Sequence, residues 1–241
     1  MDSVSSGGEV RIQSGDVTAL VAPEYADVFD PDWFDPEFWR GRAVSVSSGG
    51  RGSAWFVERS PEHWVLRRFM RGGAVGKLIS DSYIYSGEAR IRSYVEFRLL
   101  RQLHGMGLPV PTPVAAMYQR RGLFYSTAII IERFHCVRPL GDVAPALDEN
   151  RWLEVGRVIR RFHDAGVYHA DLNCFNILVG ESSIYLIDFD KGELRSSASP
   201  LARWKEDNLN RLKRSLNKVL GSEVESQWPV FLAGYNNAIS P

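Results

Sequence analysis

His169, Asp171 and Asn176 stand in the pattern H-x-D-L-x-x-x-N, and Asp188 follows after two short apolar runs joined by a turn. Moving a γ-phosphoryl group from a nucleotide to a hydroxyl needs a carboxylate to take the hydroxyl proton. It also needs oxygen ligands for one or two Mg²⁺ ions, held close to the reacting phosphorus. Asp171 is the candidate base, because a free hydroxyl is a poor nucleophile until its proton is accepted. Asn176, five residues on, offers a neutral amide oxygen of the kind a hard cation accepts. Asp188 closes the run Ile184, Tyr185, Leu186, Ile187 and is the candidate ligand of the metal that bridges the nucleotide phosphates. His169 reads as a brace whose ring bonds to backbone.

These side chains need a scaffold. Residues 177–179 and 184–187 read as two short strands joined by a tight turn at residues 180–183, which returns Asp188 to the neighbourhood of Asn176. Residues 152–165 form a helix that delivers the chain to the loop, and helices over 203–220 and 226–238 follow it. Upstream, strands are expected at 17–22, 43–48, 53–59, 63–69, 114–118 and 124–133. A helix over 87–105 is marked by Ile91, Val95, Leu99, Leu100 and Leu103 at three- and four-residue spacing. The expected class is α+β in two lobes: a polar, mobile arm at 1–16, an antiparallel-sheet N-lobe at 17–134 and a mainly helical C-lobe at 135–241. The aromatic stretch 29–39, interleaved with Asp and Pro, is an ordered loop or short helix on the first lobe, with a membrane-contacting patch as the sharper alternative.

Composition narrows the field. With 241 residues the chain can bury roughly 70–75% of its unfolded surface. Lys plus Arg and Asp plus Glu number 29 each, so no basic field argues for nucleic acid. The two cysteines, Cys136 and Cys174, do not make a disulfide framework and favour a reducing compartment. No apolar run approaches membrane-spanning length, and residues 1–10 lack a signal core. The expectation is a protein that is cytoplasmic or peripheral on the cytoplasmic face of a membrane.

The strings Y-H-A-D-L-N-C-F-N-I-L-V, L-I-D-F-D-K-G-E-L-R, W-V-L-R-R-F-M-R-G-G and L-P-V-P-T-P-V-A-A extend the pattern over most of residues 55–216. On them the chain resembles the lipopolysaccharide core kinases of the protein-kinase-like superfamily, in particular those acting on 3-deoxy-D-manno-octulosonic acid (Kdo). The resemblance implies ATP and Mg²⁺, and a Kdo-linked lipid A precursor phosphorylated on its 4-hydroxyl at the inner-membrane face. A heptose or another small molecule is the alternative acceptor. A protein kinase or a non-catalytic binding module is a further class.

The nucleotide end of the site is less regular. Gly49, Gly50 and Gly52 sit between two expected strands, where backbone amides can approach phosphate, and Ser53 adds a hydroxyl; a plain hairpin turn is the alternative. In the resembled pattern the third strand carries a phosphate-binding lysine, and here Arg67 occupies that place, with Arg68 beside it. Strand alternation sends the two to opposite faces. Arginine can clamp phosphate in bidentate fashion, and the downstream Lys77 remains open as a second candidate. The run Gly72-Gly73-Ala74-Val75-Gly76-Lys77 lacks Walker spacing. Glu96, on the border of the apolar stripe, is the preferred carboxylate partner for Arg67, ahead of Glu88 at the helix start.

About a dozen residues separate Asp188 from the next helix, with no A-P-E signature, and Asn173 stands where protein kinases carry a lysine. A small hydroxylated acceptor is therefore favoured over a protein. Lys191 and Arg195 could receive an anionic acceptor, or form a solvated basic loop. The helix over 203–220 carries Lys205, Arg211, Lys213, Arg214 and Lys218, a surface suited to an anionic glycolipid or to plain solvation.

Overall fold

The computed structural model describes residues 2–6, 8–46, 53–70, 82–195 and 203–237. Contacts divide the chain into two units, one of residues 1–101 and 111–134, the other of residues 102–110 and 135–241. The stretch 102–110 goes with the second unit rather than the first for a local reason. Pro109 O accepts from Leu186 N (3.0 Å), and Leu108 and Val110 are buried.

Among the described residues of the first unit, nine strands form one sheet. They are β1 (Asp2–Ser6), β2 (Glu9–Ser14), β3 (Val17–Val21), β4 (Ala43–Ser45), β5 (Ala54–Arg59), β6 (Glu62–Arg68), β7 (Tyr83–Ile84), β8 (Pro113–Arg121) and β9 (Phe124–Glu132). The order is β1-β2-β3-β8-β9-β6-β5-β4, with β7 on β9, and every pairing is antiparallel. The expectation of a mobile arm over 1–16 does not hold. Val10 pairs with Val21 and Ile12 with Ala19, and buried Ile12 anchors β2 to the core. Gly15, at φ 59°, makes the turn that the pairing requires.

Strand alternation then sorts β6 by face. Trp64 and Leu66 are buried in a core with Phe29, Trp33, Phe34 and Trp39. The aromatic stretch is thus interior, not a membrane patch; Trp33 and Trp39 lie 5.0 and 5.9 Å from the Trp64 ring. Two 3-10 turns, Pro31–Phe34 and Pro36–Trp39, bring these rings inward. Asp30 and Asp35 cap them by accepting from Asp32 N and Glu37 N, each just before a proline at the first helical position. Helix α1 (Arg92–Gly105) begins later than its periodicity suggests, after a 3-10 turn at Glu88–Arg90. Tyr94 and Phe97 take the buried stripe, and Val95, expected there, is exposed.

The second unit is mainly helical. It contains β10 (Arg138–Pro139), α2 (Leu140–Val143), α3 (Glu149–Asp164), β11 (Val167–Tyr168), β12 (Ile177–Val179), β13 (Ile184–Leu186), β14 (Glu193–Leu194), α4 (Arg203–Leu220) and α5 (Val224–Asn236). Asp148 caps α3 by accepting from Arg151 N at 2.8 Å. Helices α3 and α5 meet with almost no side chain between them. A Cβ on Gly156 would lie 2.2 Å from Phe231 O, and one on Gly234 would lie 2.0 Å from Leu153 O. Replacing Gly156 with Ala improves helix propensity by about 1 kcal/mol, but the backbone contact forces the helices apart at a larger cost. Gly156→Ala should lower the free energy of unfolding by about 2 kcal/mol, read from the urea midpoint; an unchanged or higher midpoint contradicts this packing.

Candidate active site

The loop between β11 and β12 carries most of the candidate residues, and one buried ring organises it. His169 is 2% exposed. Its Nε2 donates to Ile187 O at 3.0 Å, and its Nδ1 accepts from Asp171 N at 3.2 Å. Both bonds form only when the proton sits on Nε2. Burial pushes the His169 pKa below the usual histidine range, which keeps the ring neutral and Nδ1 an acceptor. The ring therefore ties Asp171 to the residue before Asp188.

Helix α4 fixes the same loop from one face. Asn208 bonds both backbone groups of His169, accepting from its N at 3.2 Å and donating to its O at 2.9 Å. Ser215 Oγ accepts from Cys174 N at 2.9 Å. Between them Arg211 Nη1 donates to Asp171 Oδ1 at 3.2 Å. Residues 208, 211 and 215 follow helical spacing, so one helical stripe meets the loop at three points.

Asp171 presents its carboxylate outward, with 57% of its side chain exposed. Asn173 Nδ2 donates to Asp171 Oδ2 at 3.1 Å, so each carboxylate oxygen receives one donor. Asn176 Nδ2 donates to Asp171 O at 3.0 Å, which directs the amide nitrogen into the loop and leaves Oδ1 as the amide's acceptor atom. The hairpin of β12 and β13 pairs Ile177 with Leu186, and Ile187 N continues the ladder to Asn176 O at 3.0 Å. Asn176 and Asp188 thus occupy adjoining ends of one hairpin. Asp188 has φ 63°, a left-handed conformation that costs a non-glycine residue about 1–2 kcal/mol, though Asp is among the types that adopt it. Phe189 holds the segment in place: it is buried, 4.8 Å from the His169 ring and 6.0 Å from Phe162.

This donor set suits Mg²⁺. One amide oxygen and one carboxylate are hard ligands, and a small cation that keeps waters and phosphate oxygens needs few from protein. Among the described residues no group of three or more His, Cys, Asp or Glu forms a metal cage.

Of the two basic residues after Asp188, Lys191 is exposed at φ 61°. Arg195 is already engaged by other groups. It pairs with Glu193 at 2.6 Å and stacks 3.6 Å over Tyr168, where β14 meets β11. Its backbone is equally committed: Gly166 O accepts from Arg195 N, and a Cβ on Gly166 would lie 2.3 Å from Arg195 O.

In the first unit, Arg67 Nη2 donates to Glu96 Oε2, and Glu96 is 1% exposed. Glu88, the alternative, instead receives Arg11 Nε at 2.9 Å. Arg68, on the opposite face of β6, donates to Phe34 O and stacks on Trp55. Ser53 O closes the end of the β5–β6 ladder by accepting from Arg68 N at 2.8 Å. Gly50, Gly52 and Lys77 lie outside the described residues.

Residues 36–235 match the family described as lipopolysaccharide kinase (Kdo/WaaP) family. The chain belongs to that family. The 3-deoxy-D-manno-octulosonic acid kinase of Xylella fastidiosa (strain 9a5c) is 50% identical over 190 residues, 78% of this chain and 75% of the relative. That of Stenotrophomonas maltophilia (strain R551-3) is 47% identical over 194 residues, 80% and 77%. Two solved structures share the fold. WaaP in complex with acyl carrier protein aligns with a TM-score of 0.59 at 18% identity, covering 92% of this chain and 89% of WaaP. The Rio2 kinase–ADP/Mg²⁺–phosphoaspartate complex from Chaetomium thermophilum aligns at 0.50 and 21% identity, covering 96% and 74%. The α+β architecture is therefore protein-kinase-like.

Within this lipopolysaccharide kinase, Asn208, Ser215 and the contact of Arg211 with Asp171 escape a reading of the motif alone. The trace they leave is faint: Asn208 is a polar residue one turn before Leu212 on the apolar stripe of α4. Asn208→Ala strands two buried backbone groups of His169, each at about 1–3 kcal/mol. The variant should lose about 2 kcal/mol or more of unfolding free energy, and its kcat should fall while the KM for ATP changes less. A variant with wild-type stability removes Asn208 from this role.

Proposed function

We propose that this chain transfers the γ-phosphoryl group of ATP to the 4-hydroxyl of a Kdo sugar on a lipid A precursor. The observation that carries the reading is the joint placement of Asp171, Asn176 and Asp188 around the His169 brace. The acceptor rests on similarity to relatives named 3-deoxy-D-manno-octulosonic acid kinase. Asp171 accepts the proton of the attacking hydroxyl as the new phosphorus–oxygen bond forms. Asn176 and Asp188 are the residues that would hold Mg²⁺, which when bound neutralises charge on the phosphates. In the first unit, Arg67, oriented by Glu96, is the candidate cation for the α- and β-phosphates, in the place a lysine takes elsewhere. Gly50, Gly52 and Ser53 are the candidate backbone and hydroxyl contacts to phosphate.

Among the described residues, no helix is long and apolar enough to cross a membrane. A lipid-linked acceptor then calls for peripheral contact at the cytoplasmic face of the inner membrane. The exposed Arg214 and Lys218 of α4 support it, whereas Lys205 and Lys213 are paired with Asp164 and Glu225.

Incubation with ATP and Kdo-linked lipid A precursor, followed by mass spectrometry of the product, should locate one added phosphate on Kdo; an unmodified acceptor ends the reading. Asp171→Ala should cut turnover by at least ~10²-fold with the fold intact by circular dichroism, as for a lost general base. Unchanged turnover removes Asp171 as the base. Asp188→Asn should abolish the extra thermal stabilisation given by Mg·ATP over ATP alone, whereas a wild-type shift would take Asp188 out of the metal site.

A further inference from the structure

The base of this site has a basic neighbour that does not come from its own loop. The loop residue two after the base, Asn173, is neutral, and its amide is spent on Asp171 and on Phe175 N. The cation at Asp171 is delivered instead by α4, through Arg211 Nη1 at 3.2 Å from Oδ1. Position 211 is held from both sides by Asn208 on His169 and Ser215 on Cys174, so the guanidinium stem is anchored relative to the base. The head itself is not buried: 47% of the Arg211 side chain is exposed.

We propose that Arg211 binds the carboxylate of the acceptor sugar acid and thereby selects an acidic sugar over a neutral one. The inference rests on the acceptor reading given above. An attacking hydroxyl must come within hydrogen-bond reach of Asp171. The acceptor's own carboxylate is carried on the same sugar and arrives close to an aspartate of like charge. A guanidinium already touching the aspartate relieves that repulsion, and its five donors allow it to hold two carboxylates at once. Planar, bidentate recognition of carboxylate is the task for which arginine differs from lysine. Arg195 contacts Glu193 and Tyr168 rather than Asp171, and Lys191 is a point charge on an exposed turn.

The test compares two acceptors, the Kdo-linked lipid A precursor and the same molecule with the Kdo carboxylate converted to a neutral amide. The wild type should prefer the acid by ~10- to 100-fold in kcat/KM, the range expected when a charge-assisted contact is lost. Arg211→Ala should lose that preference through a raised KM for the acid, with the KM for ATP within about twofold. Arg211→Lys should restore part of it. Because Arg211 is half exposed, the variant should keep the wild-type melting temperature, which separates a binding effect from misfolding. An Arg211→Ala enzyme that keeps the wild-type preference overturns the assignment, as does loss of the preference in Lys191→Ala instead. A wild type that phosphorylates both acceptors equally also overturns it while sparing the sugar-kinase reading. A wild type that phosphorylates neither overturns both.

Discussion

A neutral imidazole, buried and bonded at both nitrogens, is the constraint on which the rest of the second unit depends. The loop from Ala170 to Asn176 has little ladder of its own, and only Leu172 and Cys174 among its side chains are buried in the core. Its position is set by His169, which joins the amide of Asp171 to the carbonyl of Ile187. A typical buried hydrogen bond contributes about 1 kcal/mol net, but a stranded partner costs about 1–3 kcal/mol. Ring and backbone together place four such bonds on this one residue, two of them to Asn208. A protonated ring would lose the acceptor at Nδ1, so desolvation, by holding the ring neutral, is part of the architecture.

The sequence was legible where short-range rules govern. Helix α4 lies at Arg203–Leu220, the span its leucines mark, and the strands fall close to where alternation places them. The hairpin that brings Asn176 next to Asp188 follows from the length of its turn. Misreadings arose where composition competed with pattern. Serines and glycines over 1–16 masked the alternation of Val10 and Ile12, whose burial makes β2 a strand. The stretch 29–39 is the ordered, packed element its Asp and Pro spacing marks, and of its two readings only the membrane-patch alternative falls, because Trp64 on β6 takes those rings. The contacts of Asn208 and Arg211 with the loop span 39 and 40 residues, and no local rule connects positions that far apart.

The Arg67–Glu96 pair makes a different argument. Glu96 is almost wholly removed from water, and ion pairs in such places seldom stabilise a fold better than apolar residues of similar shape. The pair lies on the helix-facing side of β6, while Arg68 packs on the aromatic core. A lysine has three donors on one atom. Arginine has five on a rigid plane, a geometry that suits planar anions such as carboxylate and phosphate. Arginine can thus fill a position expected to hold lysine without loss of the charge, but with a fixed direction of approach.

Direction matters equally at Asp171, the proposed base. A carboxylate oxygen has two lone pairs, and in Asp171 one donor meets each oxygen: Arg211 at Oδ1, Asn173 at Oδ2. One acceptor position per oxygen remains, on a side chain more than half exposed. The rotation that an exposed aspartate would otherwise enjoy is removed from two sides, by a residue of its own loop and by a helix pinned to that loop at Asn208 and Ser215. If Asp171 is the base, as proposed, a hydroxyl would meet it along the remaining directions, so the loop and α4 would restrict the approach of the acceptor before any acceptor arrives.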